Sequence, residues 1–145
     1  MNGMIIIIIF VIISIFISFA IGANDETFST VHGSRTLMMR EILVISTVLA
    51  LLGAFILGRG VSETVGKDLL TFGVSNAIIL TILISTALWL IISSVLGAPI
   101  STTHSTIGSI IGVGMLQSGI SGVNWFSILE MSIWWIMSPV IGYIL

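Results

Sequence analysis

Between Asp68 and Glu130 the chain carries no Asp, Glu, Lys or Arg. A stretch that long cannot be wound over the surface of a water-soluble globule, because some of it would have to face water and nothing in it is built to. Two more uncharged runs, Met1 to Asn24 and Ile42 to Gly58, repeat the pattern. Crossing the hydrocarbon core takes about 20 apolar residues in a helix. The first run supplies one such span and the longest supplies two or more. Composition agrees: only 7% of the residues are charged, against about 25% in a soluble domain. The chain is therefore an all-α integral membrane protein, expected to be multi-pass and to sit in the cell membrane. Met1 to Ala23 lacks the basic n-region of a signal peptide and is followed by further apolar segments, so it reads as a first span.

The charge-free runs and their interruptions divide the chain into about five membrane segments. The first covers about Met4 to Ala23 and is isoleucine-rich; in lipid the backbone must pair internally, so helix prevails over the β preference of those side chains. A polar stretch to Glu41 follows, then a span from Ile42 to Gly58. A short charged connection holds Arg59, Glu63, Lys67 and Asp68, and the next span lies within Val74 to Gly97. A short apolar helix covers Ser105 to Met115, a Gly/Ser/Asn turn runs from Gln117 to Asn124, and a last segment starts near Trp125. Trp134 and Trp135 read equally as an interfacial belt or as lipid-facing bulk. Arg35 and Arg40 in one connection balance Arg59 and Lys67 in the next, so the positive-inside rule gives no orientation. Residues 1–145 are expected to form a single transmembrane domain.

Two interruptions carry chemistry. At Gly97-Ala98-Pro99-Ile100-Ser101-Thr102-Thr103-His104, proline cannot continue a helix from upstream but suits the opening of a new one. Ser101, Thr102 and Thr103 then stand at a helix N-terminus, whose first N–H groups have no partner within the helix and whose dipole end is positive. With three hydroxyls added, this is a donor cluster suited to an oxyanion. The plainer reading is that Ser101 caps the helix and the threonines bond back to carbonyls one turn earlier. Beyond it, Ser101, His104, Ser105, Gly108 and Gly112 form a small polar stripe at helical spacing, suited to close helix contact or to lining a cavity. At the second interruption, Gly22-Ala23-Asn24-Asp25, a carboxylate ends an uncharged span. Such groups are costly near lipid and usually functional. Asp25 could bind Na⁺ with the Asn24 carbonyl, exchange a proton, or accept a hydrogen bond from a protonated oxyanion; alternatively it marks where the chain leaves the bilayer. Arg35 reads as an anion fork or an interfacial anchor.

Cysteine is absent, which excludes disulfides and thiolate metal sites, and the net charge of −2 without a basic cluster argues against nucleic acid as a partner. No cofactor is expected beyond Na⁺ as a coupling ion. An intramembrane serine hydrolase built on Ser101 or Ser105 with His104 would require a strained nucleophile turn, and the hydroxyls here look instead like N-terminal donors. The chain is not expected to be an enzyme. A third reading is a membrane assembly subunit without a transport cycle of its own.

Gly22-Ala23-Asn24-Asp25 and Gly33-Ser34-Arg35-Thr36-Leu37 resemble the N-terminal signature of the inorganic phosphate transporter (PiT) family. So do Pro99-Ile100-Ser101-Thr102-Thr103-His104-Ser105 and the following Gly108-Ser109-Ile110-Ile111-Gly112-Val113-Gly114, in the same order and at similar spacing. The resemblance implies one half, the first repeat, of a secondary transporter made of two inverted repeats, moving inorganic phosphate by symport with Na⁺ or H⁺. By position it implies phosphate binding by Ser101, Thr102, Thr103, Asn24 and Asp25, a coupling-cation site at Asn24 and Asp25, and support from His104, Ser105 and Arg35. A second transporter half, or another copy in inverted orientation, is the implied partner within the lipid bilayer. Phe28 stands where the family pattern usually has Asn, and the stretch from Gly22 to Gly33 is about two residues shorter than the common form.

Overall fold

A computed structural model describes residues 3–24, 28–98 and 100–145, with the side chains of 63–67 left aside. The described residues form six α-helices: α1 (Gly3–Asn24), α2 (Ser29–Gly33), α3 (Met39–Lys67), α4 (Asn76–Val95), α5 (Thr102–Ser118) and α6 (Trp125–Ile144). A single 3₁₀ turn, Ile120–Gly122, lies between the last two. α1, α4, α6 and the Met39–Ser62 part of α3 are long and apolar enough to cross a membrane. With the shorter α5, they make up the expected set of about five segments around a helix break.

Side chains from the preceding turn punctuate the helices. Ser75 caps α4 by accepting from Ile78 N, and Asn124 caps α6 by accepting from Ser127 N. At α3, the Glu41 carboxylate reaches back to accept Met38 N at 2.8 Å, the acidic half of a capping box. That helix departs from the expected pattern: it runs on through Arg59 to Lys67, where a charged connection was expected. Hydropathy marks where a chain leaves lipid, but a helix stops only where something breaks it, and no proline lies in this stretch.

α4 is the central helix, with α1 packed on one side and α5 on the other. The core clusters Leu69, Leu70, Ile82, Ile107 and Ile110, flanked by Ile128, Met131 and Trp135 of α6. At this end the α3–α4 connection is stapled to the turn after α5. Leu70 pairs with Val123 as an antiparallel bridge. Asn124 N donates to Leu69 O at 2.9 Å and Thr71 N to Gly122 O at 3.2 Å. Side chains reinforce it, Asn124 Nδ2 donating to Asp68 O and Thr71 Oγ1 to Ser121 O.

The staple depends on two glycines. A Cβ on Gly114 would lie 2.6 Å from Leu70 Cδ2, and one on Gly122 would lie 2.5 Å from the Gly114 carbonyl oxygen. Gly108 and Gly112, the pair with the interhelical spacing, have open space where a Cβ would stand. Among the described residues they make no close helix contact. The close approach falls at Gly114 instead.

Most other apolar surface faces outward. α1 is an apolar rod with only Ala20 and Asn24 buried, and Ile42 is the buried residue of α3. In water this would drive aggregation; in lipid it is solvated by acyl chains.

Candidate functional site

α4 ends in a Schellman motif. Ala98 N donates to Ser93 O at 3.0 Å and Gly97 N to Ser94 O at 3.1 Å, with Gly97 at φ +66°. Only glycine takes that conformation without a steric cost, so Gly97 fixes the end of the helix. With Leu96 N donating to Ile92 O, the carbonyls of Ile92, Ser93 and Ser94 are paired. Pro99 lies outside the described residues, and the chain re-enters helix at Thr102.

Ser101 is the N-cap of α5. Its Oγ accepts from His104 N at 3.3 Å and is 2.6 Å from His104 Nδ1. In this respect the plainer capping reading describes Ser101 correctly. The threonines behave differently. Farther along the helix, Ser105, Thr106 and Ser109 each bond back to the carbonyl four residues before, at 2.8–2.9 Å. Thr102 and Thr103 make no such bond among the described residues, and their N–H groups also lack a partner there. Among the described residues, two backbone N–H groups and two hydroxyls thus stand without a partner in the first turn of one helix, at its positive end.

Beside them is an open pocket of about 380 Å³ lined by Trp89, Ile100, Ser101, His104, Ser105, Gly108 and Ser109. The polar stripe read from the sequence lines it as far as Gly108. Gly112, Thr102, Thr103 and Arg35 are not among the lining residues. The His104 ring lies on Trp135 of α6, with centroids 3.9 Å apart and planes tilted by 34°. Trp135 therefore packs against His104 in the pocket wall, while Trp134 is exposed. Helical periodicity on α6 alone could not reveal which tryptophan meets the histidine.

Asn24, last residue of α1, is buried at 4% exposure. Its Nδ2 donates to Ser93 Oγ at 2.6 Å and to Ser94 Oγ at 3.2 Å, and its Oδ1 accepts from Ile100 N at 3.1 Å. Both amide hydrogens are engaged by the protein, and among the described residues Oδ1 accepts from Ile100 N alone. Asp25, assigned with it to the phosphate and cation sites, lies outside the described residues. Arg35 is exposed, takes a left-handed φ of +57°, and donates its N–H to His32 O at 3.0 Å, closing the short helix α2. Neither partner of Asn24, Ser93 or Ser94, was singled out in the sequence; both lie in a span that gives no local signal for them.

Taken together these features define a class: an integral membrane protein with a helix broken inside an apolar bundle, presenting unpaired donors and no metal-binding cluster among the described residues. The chain belongs to the phosphate transporter family, whose model matches residues 21–145. That is a family of transporters and not of enzymes. A Pyrococcus furiosus protein named provisionally as a phosphate permease is 36% identical over 152 residues, covering 96% of this chain and 36% of the relative. A Mycobacterium bovis protein similarly named is 33% identical, covering 95% of this chain and 28% of its own. The solved structure of a sodium-dependent phosphate transporter superposes with a TM-score of 0.86 at 36% identity, over 94% of this chain and 36% of that one. The chain thus spans about a third of the length of the relatives it matches.

Proposed function

We propose that this chain is the first repeat of a cation-coupled inorganic phosphate transporter, and that phosphate is captured at the N-terminus of α5. The observation that carries this reading is the set of unpaired donors on Thr102 and Thr103. In lipid such groups are costly unless something accepts from them, and an anion at a helix N-terminus does so with help from the dipole. Depth supports it too. At 1.5 Å per residue α6 is about 30 Å long, and Trp135 sits about 15 Å along it. A helix of that length matches the hydrocarbon thickness, so the His104–Trp135 contact corresponds to a level near its middle. Discontinuous helices meeting at mid-depth are how many secondary transporters bind their substrates.

Ser101, Thr102 and Thr103 are the proposed phosphate donors, with His104 and Ser105 beside them in the pocket wall. Asp25 is the proposed cation ligand, with Asn24 Oδ1 as a second oxygen for the same ion. Sodium is the proposed coupling ion, supported by the name of the structural neighbour. The remaining wall of the pathway is assigned to a second repeat or to another copy of this chain in inverted orientation, in a multi-pass arrangement in the cell membrane. The test is phosphate uptake into vesicles holding the chain together with such a second half. Thr102→Val and Asp25→Asn should each cut uptake sharply, and replacing Na⁺ by choline should do the same in the unmodified protein. Unchanged uptake in both variants overturns the site assignment; uptake indifferent to Na⁺ but driven by a proton gradient overturns only the choice of ion.

A further inference from the structure

The wall of the pocket beside Thr102 and Thr103 carries three serines, and the single hydroxyl hydrogen of each already has an acceptor. Ser105 Oγ donates to Ser101 O at 2.8 Å and Ser109 Oγ to Ser105 O at 2.9 Å. Ser101 Oγ has one hydrogen and two lone pairs, and one lone pair takes the His104 N–H at 3.3 Å. Its contact with His104 Nδ1 is 2.6 Å. That is shorter than the roughly 2.7 Å at which N–H donors usually begin, and ordinary for a hydroxyl donor. Ser101 therefore donates to Nδ1. A ring nitrogen that accepts carries no hydrogen of its own, so the hydrogen of the imidazole is on Nε2. Among the described residues Nε2 has no partner, and neither has the indole N–H of Trp89 across the pocket. Of these two rings His104 is the one held in place, by Ser101 at its edge and by Trp135 against its face at 3.9 Å.

We propose that His104 Nε2–H is a direct donor to phosphate in this pocket, and that the Ser101 hydroxyl is a positioning group acting through the ring. This rests on the functional reading above and refines it. Ser101 contributes its backbone N–H, which has no partner among the described residues, while its side chain aims the histidine. A ring already set in one tautomer and one plane gives up little freedom when it meets an anion. An N–H facing an anionic oxygen also makes a charge-assisted bond, about twice as strong as a neutral one. The opposite tautomer would put the hydrogen on Nδ1 and release the Ser101 hydroxyl to the anion, making the histidine the positioning group instead.

Two substitutions separate the tautomers. In His104→Gln the side-chain amide nitrogen stands where Nε2 stood; in His104→Asn it stands where Nδ1 stood. The measurement is equilibrium binding of radiolabelled inorganic phosphate to the full chain in lipid nanodiscs. His104→Asn should weaken binding by about thirtyfold, the loss of one hydrogen bond to a charged group, and His104→Gln by only about threefold. The reverse order, or equal losses in both, overturns the proposal. NMR of isotopically labelled histidine nitrogens reads the tautomer directly, with His32 as the internal reference, since the chain has two histidines. His104 should carry its hydrogen on Nε2, and that hydrogen should move downfield when phosphate is added. A hydrogen on Nδ1, or an Nε2 signal indifferent to saturating phosphate, overturns the proposal. Ser101→Ala should let His104 populate both tautomers, and Ser101→Thr should restore the single one. A serine that only caps the helix predicts an unchanged tautomer with an earlier melt, and that result overturns the positioning role. Unmodified protein that binds no phosphate overturns the functional reading and this proposal with it, whereas reversed order with binding intact overturns this proposal alone. Should the His104 variants fail to fold, NMR of the unmodified protein decides.

Discussion

The two ends of the α4–α5 pair are built on opposite principles. Where α4 begins and α5 ends, Leu69 and Leu70 are buried, Val123 pairs with Leu70, and the backbone of residues 69–71 is bonded to the turn at 122–124. Where α4 ends and α5 begins, the carbonyl side is closed by the Schellman motif while the amide side is left open at Thr102 and Thr103. The closed end is a fixed anchor; the open end is where the site is proposed. The same helix pair thus combines a rigid base with unmet hydrogen-bonding capacity at its tip, which is how a binding constellation stays in place while it waits for a ligand.

Substitutions can break or sharpen this contrast. The largest effect is expected at the anchor. In Gly122→Ala the new Cβ would meet the Gly114 carbonyl oxygen and, at 2.9 Å, Ser118 Cβ. Backbone cannot swing aside as a side chain can, so a loss of about 3 kcal/mol is expected, read as a sharp drop in melting temperature in detergent. At the open end, Thr102→Val should leave the melting temperature unchanged and weaken phosphate binding by about thirtyfold, or about 2 kcal/mol, the usual worth of one hydrogen bond to a charged group. If that variant melts early instead, the threonine is structural and the contrast between the ends fails.

Gly97→Ala tests the closed half of the break. No neighbour obstructs a Cβ there, but φ of +66° does, and a cost of about 1 kcal/mol is expected in thermal unfolding. The smallest effect belongs to Trp135→Leu, which removes the ring lying on His104. Loss of an aromatic pair costs about 1 kcal/mol or less beyond its area, and the measurable change should be in phosphate affinity more than in stability. A melting shift as large as that of Gly122→Ala would place Trp135 in the anchor instead.

Much of the fold was legible in the chain. Uncharged runs located the spans, and Pro99 located the break, because both are statements about what a backbone can do locally or in lipid. The limits of α3 were misread because leaving the membrane and ending a helix are different events: charges at Arg59 and Lys67 mark the first and have no power over the second. The stripe through Gly108 and Gly112 suited either close helix contact or a cavity wall; Gly108 lines the pocket, while the tight approach is Gly114 against Leu70, since spacing records which residues share a face and not which face meets a neighbour.

The order of residues by itself determined that this is a helical membrane protein, that its chain breaks before Ser101, and which family it resembles. Hydrophobic length and a missing proline N–H act within a few residues of themselves, so they can be read without a partner. Only the tertiary structure decided that Asn24 grips Ser93, Ser94 and Ile100, that Trp135 covers His104, and that Thr102 and Thr103 find no partner among the described residues while Ser105, Thr106 and Ser109 do. A hydrogen bond or a ring contact exists only when two distant segments are brought to within a few ångströms. That distance is a property of packing, and no local pattern encodes it.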